Sequence, residues 1–176
     1  MDETAGAQVI TLCISGKATS GKSTAAQVIL ENFTSHSFAF ADEVKRIAYE
    51  YGWDGKKDAR GRRLLQRAGD IGREYDSNLW VDRAIKNAKD FAPYPRDAIC
   101  IFSDCRYPNE LDRVKQEMYN VITMRIERDG VAQLQHSSET ALDSYGSWDI
   151  VVENNGTLEE FKSKIMEAVK CYLKSC

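Results

Sequence analysis

Short runs of apolar and β-branched residues alternate along the chain with longer stretches in which apolar side chains recur every three or four positions. These are the periodicities of strands and of amphipathic helices. The first run, Val9 to Ile14, reads VITLCI and predicts a strand buried on both faces. From Gly21 to Phe33 the residues Ala25, Val28, Ile29 and Phe33 fall on one face of a predicted helix. Phe38 to Phe40 predicts a short second strand, and Asp42 to Tyr51 the helix that follows it. The segment GWDGKKDARG has the glycines and aspartates of a loop. Two further helices are predicted, Arg62 to Tyr75 and Ser77 to Phe91, and the prolines Pro93 and Pro95 end them because proline cannot continue the hydrogen-bond ladder.

The run AICIFS, Ala98 to Ser103, predicts a third strand, and Pro108 to Met118 a helix with proline in its first turn. Asn120 to Ile126 is the fourth predicted strand and Trp148 to Val152 the fifth. After NNG, Thr157 and Glu160 have the spacing of a capping box, opening a last helix with Leu158, Phe161, Ile165, Val169 and Leu173 on one stripe. Strands alternating with helices in this way predict an α/β fold: a five-stranded parallel sheet with helices on both faces. The expected organisation is a single domain over residues 1–176, with a core of residues 8–41 and 96–176 and a helical insert at about 42–95. Ligands bind such sheets at the carboxyl ends of the strands, so chemistry is expected just after Ile14, Phe40, Ser103 and Ile126.

Composition narrows the class. At 176 residues, 43% apolar and 29% charged with only 3 Pro, the chain is neither collagenous, coiled-coil nor disordered. It is long enough to bury roughly two-thirds of its unfolded surface without disulfides or a structural metal. Cys13, Cys100, Cys105, Cys171 and Cys176 are odd in number and contain no C-x-x-C pair, which fits reduced thiols better than a disulfide framework or a zinc site. Two histidines, His36 and His136, are too few for a His-based metal centre. No apolar run reaches the roughly 20 residues of a membrane span, and the start MDETAGAQ is polar and acidic, so a cytoplasmic protein is expected.

The net charge of −3 conceals an uneven distribution. Between Lys56 and Arg73 seven Lys or Arg stand against Asp58 and Asp70, a local balance of +5 that leaves the remainder near −8. One basic island on an acidic chain points to a local anion site rather than a surface that coats nucleic acid, with a solvated helix face as the alternative.

Directly after the first predicted strand, Gly16-Lys17-Ala18-Thr19-Ser20-Gly21-Lys22-Ser23 fits G-x-x-x-x-G-K-[ST] without departure. A chain of this composition matches by accident about once in two hundred. The spacing suits a phosphate: the glycines let the backbone wrap it, successive N–H groups and a helix N-terminus supply positive charge, and the lysine reaches the outer phosphates. Gly16, Ala18, Thr19, Ser20, Gly21, Lys22, Ser23 and Thr24 are therefore expected to bind a nucleoside triphosphate, with the Ser23 hydroxyl on Mg²⁺. The chain has no N-K-x-D motif, which argues against a switch GTPase, and a basic helical insert instead suggests a kinase that closes over an acceptor held by that insert.

Four blocks carry a resemblance to a known family. They are ISGKATSGKSTAA, FADEVKRIAYEYG, RRLLQRAGDIGREYDSNLWVDRA, and ICIFSDCRYPNELDRVKQEMYNVITMRIER with its D-x-R-x-x-x-E pattern; HSSE and VVENNGTLEEF follow. In this order, covering most of Val9 to Phe161, they resemble the viral and bacterial deoxynucleoside monophosphate kinases, a branch of the P-loop nucleoside monophosphate kinases common in bacteriophages. Animal-type phosphomevalonate kinases share several of the blocks. Loops of the family often read GKDT, whereas this chain has Gly21-Lys22-Ser23-Thr24, with a hydroxyl at the magnesium position.

The resemblance implies a P-loop kinase fold with an acceptor-binding insert, ATP and Mg²⁺ as cofactors, and nucleotides as small-molecule substrates. Lys22, Arg106 and Arg128 are the expected catalytic charges, and Ser23 and Asp104 the metal ligands. The competing reading of Asp104 is a helix cap, and that of Arg106 an ion pair with Glu110. Acceptor contacts are expected from Asp42, Lys45, Arg63, Gln66, Arg67, Arg73 and Trp80; Asp42 is also a candidate N-cap and Trp80 a candidate core residue. Arg125 and Arg128 flank the end of the fourth predicted strand, where kinase lids carry arginines. His136 and Glu139 read as structural or substrate-orienting. The expected activity is phosphorylation of a deoxynucleoside monophosphate to the diphosphate for DNA synthesis, in the host cytoplasm for a phage-encoded enzyme. Other acceptors stay open: a hydroxymethylpyrimidine nucleotide or DNA base, or a phosphomevalonate-like metabolite. So do a non-catalytic nucleotide-binding module and a homodimer, while a nucleic-acid partner is expected only if the acceptor is a DNA base.

Overall fold

The computed structural model describes residues 9–91, 94–95, 98–131 and 136–175. Residues 1–8, Pro93 and Cys176, on which parts of the sequence reading fall, lie outside the described residues. Five strands, β1 (Ile10–Gly16), β2 (Ser35–Phe38), β3 (Ile99–Cys105), β4 (Val121–Glu127) and β5 (Ile150–Glu153), form one sheet in the order β2-β3-β1-β4-β5. Every pairing is parallel, with Leu12 opposite Ile101 on one side of β1 and Ile122 on the other. The helices are α1 (Lys22–Asn32), α2 (Ala41–Glu50), α3 (Ala59–Tyr75), α4 (Leu79–Asp90), α5 (Pro108–Glu117), α6 (Ser137–Thr140) and α7 (Leu158–Ser175). This is the predicted α/β architecture.

Successive side chains of a strand point to opposite faces, so the continuous apolar runs supply two cores. On one face Ile10, Leu12, Ile14, Ile99, Ile101, Ile122, Met124 and Ile126 pack with Ala25, Val28 and Ile29 of α1 and Phe161, Ile165 and Val169 of α7. On the other, Cys13, Cys100, Phe102 and Cys105 meet α2, α4 and α5 through Val44, Val81, Ile85, Leu111 and Val114. The three cysteines are thus small apolar core residues, and burial raises the thiol pKa of Cys100 and Cys105.

Several boundaries differ from the sequence reading, each for a local reason. The second strand is the polar SHSF, two to three residues earlier than expected, because an edge strand needs backbone pairing on one side only and leaves its side chains half-buried or exposed. Phe40 instead leads into α2 and stacks on Phe102, ring centroids 5.3 Å apart. Helix α3 starts at Ala59 because the Asp58 carboxylate accepts the Gly61 N–H at 2.8 Å. The short helix α6 was not anticipated, and β5 begins at Ile150 rather than Trp148. The capping box at the start of α7 forms as expected: Thr157 N–H donates to Glu160 at 2.7 Å and Glu160 N–H to Thr157 Oγ1 at 3.2 Å. Among the described residues no helix is long and apolar enough to cross a membrane.

Helices α2, α3 and α4 all lie between β2 and β3, yet α2 and α4 bury core residues and α3 packs over them. The joint between α3 and α4 is close: Trp80 Nε1 donates to Gly69 O at 2.8 Å, and a Cβ on Gly72 would lie 2.1 Å from Trp80 Cζ2. Gly72→Ala is therefore expected to cost about 1–3 kcal/mol of stability through overpacking, read as a lower urea midpoint. An unchanged midpoint would show that α3 shifts freely away from α4.

Candidate active site

The turn from β1 into α1 has the close-packed shape of a phosphate loop. Gly16 has φ +151°, and a Cβ there would come within 2.6 Å of Ile126 O; Gly21 has φ +114°, and a Cβ would meet Asn154 Nδ2 at 2.6 Å. Both glycines of the motif are thus required by backbone conformation and by contact. Asn154, just past β5, fixes the loop further by donating to Ser20 O at 2.8 Å. Thr19 holds a left-handed φ of +62° at the exposed tip, and the buried Ser20 hydroxyl has no hydrogen-bond partner among the described residues. Ser23 and Thr24 stand in the first turn of α1, Ser23 exposed.

Lys22 folds back over the loop, its Nζ donating to Gly16 O at 2.5 Å and Lys17 O at 2.7 Å. Burial brings its ammonium down from the ordinary 10.5 to about 8; nearby Arg106 and Arg125 add to this and Glu139 and Asp104 oppose it. Those four charges, from β3, β4 and the segments after them, therefore converge on the lysine. Asp104, at the end of β3, accepts the Phe40 and Ala41 N–H groups at 2.8 and 3.1 Å, capping α2 from across the sheet. Burial pushes its carboxyl pKa up and those two amides pull it down.

Arg106 does not pair with the Glu110 carboxylate as one reading expected. Its guanidinium donates to Glu139 Oε1 at 2.5 Å and to Ser138 Oγ at 3.3 Å, both on α6. Glu110 is buried and caps α5, accepting the backbone N–H groups of Arg106 and Tyr107 at 2.6 and 3.0 Å; burial pushes its pKa to about 7. The second oxygen of Glu139 accepts the Ala18 N–H of the phosphate loop at 2.7 Å. His136 precedes α6, its Nδ1 accepting from Ser138 N–H at 3.2 Å, which places its ring proton on Nε2, 3.2 Å from Asp70 of α3.

Around the other expected residues, Asp42 is the second residue of α2 and not its N-cap, a position held by Phe40; its carboxylate accepts Ala39 N–H at 3.0 Å and pairs with Lys45 at 2.8 Å. On α3, Arg63 and Arg67 are exposed and Gln66 is half-buried, while Arg73 pairs with Asp70 at 2.7 Å and lies over the Tyr107 ring at 4.8 Å. Trp80 is 6% exposed, with its ring against Gly72, which makes it the core residue of its two readings. Exposed Arg128 reaches Thr19 O at 3.3 Å. Arg125 is buried between Ser15 Oγ at 3.2 Å, Asp143 at 3.0 Å and the Trp148 ring at 5.6 Å. A cavity of about 410 Å³ beside the loop is lined by Lys17, Arg125, Arg128, Asp143 and Trp148 among others.

The sequence reading did not foresee that Asp70, Tyr107, Asp143 and Glu139 tie these arginines down. The clue available for Glu139 was the HSSE block, which is polar throughout. Among the described residues no three His, Cys, Asp or Glu cluster to hold a metal.

A phosphate loop after the central strand of a parallel sheet ordered β2-β3-β1-β4-β5 defines a P-loop kinase fold, and comparison with solved structures agrees. The structure of TT1252 from Thermus thermophilus superposes with a TM-score of 0.52 at 16% identity, covering 96% of this chain and 98% of that one. Thymidylate kinase from Candida albicans gives 0.50 at 12% identity over 94% and 92%. Residues 53–165 match the deoxynucleotide monophosphate kinase family. A mimivirus protein, from Acanthamoeba polyphaga mimivirus, provisionally named as a deoxynucleotide monophosphate kinase, is 31% identical across 92% of this chain and 96% of its own length. ORF77 of Ictalurid herpesvirus 1 (strain Auburn), uncharacterized, is 28% identical across 88% and 68%. The chain belongs to the deoxynucleotide monophosphate kinase family.

The Lys22 pKa gives a testable pH dependence. Polyphosphate binding needs the ammonium, so ATP affinity measured by calorimetry is expected to weaken as pH rises above about 8, approaching about tenfold per unit. Lys22→Arg, which stays charged, removes that fall; a level wild-type profile would overturn the assignment.

Proposed function

We propose that the protein transfers the γ-phosphoryl group of ATP to the phosphate of a deoxynucleoside monophosphate, forming the diphosphate used in DNA synthesis. The observation that carries this reading is the convergence of Lys22, Asp104 and Arg106 on one loop shaped for phosphate, in a chain of this family. An oxygen of the acceptor phosphate forms the new P–O bond while the bond between the γ-phosphorus and the bridging oxygen breaks, and ADP leaves. The attacking oxygen is already anionic, so no general base is needed and catalysis rests on positioning and on positive charge.

Gly16 and Ala18 to Thr24 would bind the phosphates of ATP, with Lys22, Arg106 and Arg128 neutralising the charge that gathers as the phosphoryl group moves. Mg²⁺ would be held by Ser23 and Asp104 together with the nucleotide, and when bound it screens the crowded phosphate oxygens. Because α2 and α4 serve the core, acceptor binding in the 42–95 insert falls mainly to α3: Arg63, Arg67 and Arg73 for the phosphate and Gln66 for a base edge, with Asp42 and Lys45 at the start of α2.

The test is ADP release with dAMP, dCMP, dGMP, dTMP and hydroxymethylated pyrimidine monophosphates as acceptors. Turnover is expected on at least one, with a loss of about 10²–10³-fold in Lys22→Ala. No turnover on any acceptor would overturn the reading.

A further inference from the structure

Glu139 is 9% exposed and its two oxygens are both committed, one to the Ala18 N–H at 2.7 Å and the other to the Arg106 guanidinium at 2.5 Å. Each of those donors is of the kind that binds a phosphate oxygen: a backbone amide of the G-x-x-x-x-G-K-S loop, and an arginine with its fork geometry. The carboxylate also sits close enough to the Lys22 ammonium to raise its pKa. That lysine marks the outer-phosphate end of such a loop. A carboxylate of this charge, on these donors, is a stand-in for a phosphoryl group.

We infer that Glu139 is a built-in competitor for the outer phosphate of the nucleotide: the carboxylate and the phosphate share the Ala18 amide and Arg106, and only one can hold them. The inference rests on the reading of this loop as a nucleotide site and adds to it a cost of entry and a consequence. Displacing Glu139 releases Arg106 for the phosphates. It also disturbs α6, whose Ser138 bonds to Arg106 and to His136, and through His136 the Asp70 carboxylate of α3. Occupation of the outer-phosphate site is thereby passed to the helix that carries the basic island. A diphosphate, lacking the outermost group, competes less with Glu139 than a triphosphate does.

Calorimetric titration of the full chain with ADP and with a non-hydrolysable ATP analogue, each in the presence of EDTA, tests this. A competitor that holds its donors in about nine molecules of ten raises the apparent Kd about tenfold. Glu139→Gln is expected to bind the triphosphate analogue about three- to tenfold more tightly than wild type, with a smaller gain for ADP. Asp143→Asn removes a carboxylate that pairs with Lys17 and Arg125 but bonds no loop amide, and is expected to give a smaller gain. Equal or weaker triphosphate binding in Glu139→Gln, or an equal gain in Asp143→Asn, overturns the inference. The EDTA condition excludes a role through Mg²⁺. In wild type, amide NMR signals of Ala18 and of residues 137–140 are expected to move on adding the analogue; signals at 137–140 that stay fixed at saturation overturn it independently of any substitution. Failure of wild type and variant alike to bind either nucleotide, in EDTA and again with Mg²⁺ restored, removes the kinase reading itself, whereas equal binding by both in EDTA removes only the competitor.

Discussion

The close approach of the phosphate loop to its neighbours is the constraint on which the rest of this structure depends. Gly16 lies against Ile126 O of β4, and Gly21 against Asn154 and Phe161, so the loop is clamped between the end of the neighbouring strand and the start of the last helix. That clamp requires β1 at the centre of the sheet with β4 beside it, α1 and α7 packed together on one face, and β5 short enough to place Asn154 under Ser20. The apolar runs of β1, β3 and β4 supply the burial that holds these parts, and the loop's amides are presented where the strands end.

Around that loop the charges are arranged as a balance rather than as an excess of one sign. Arg106 and Arg125 push the Lys22 proton off while Glu139 and Asp104 hold it on, and burial decides the direction. Most charged groups there have a defined partner: Asp104 on two amides of α2, Glu110 on two amides of α5, Arg125 on Ser15 and Asp143. Cationic side chains held in this way are placed before any ligand arrives, which is what electrostatic stabilisation of a moving phosphoryl group needs. The basic island has less of this order. Its arginines Arg63 and Arg67 are exposed, whereas Arg73 is anchored by Asp70 and Tyr107.

Where the sequence reading succeeded, the deciding interaction was local. The capping box of Thr157 and Glu160 spans three residues, the turn residues of the loop act on their own φ angles, and the apolar periodicity of α1 and α7 is contained within each helix. The parallel sheet and its two-faced burial follow from such elements because parallel strands need crossovers and crossovers cover both faces, while the strand order β2-β3-β1-β4-β5 came from the structure. The misplacement of the second strand has the complementary cause: SHSF lacks an apolar pattern because an edge strand pairs with a single neighbour, β3, and leaves its side chains half-buried or exposed.

By itself, then, the sequence determined the order of strands and helices, the phosphate loop with both its glycines, and the family, since each is written in residues adjacent or periodic along the chain. Only the tertiary structure decided what each charged or aromatic side chain does. Trp80 is a core residue because Gly72 of another helix leaves room for its ring, and Arg106 turns to Glu139 rather than to Glu110 four residues away. The contact between Glu139 and the Ala18 amide joins positions 121 residues apart. Such pairings are set by where the chain ends of parallel strands converge, and no spacing in the sequence encodes that convergence.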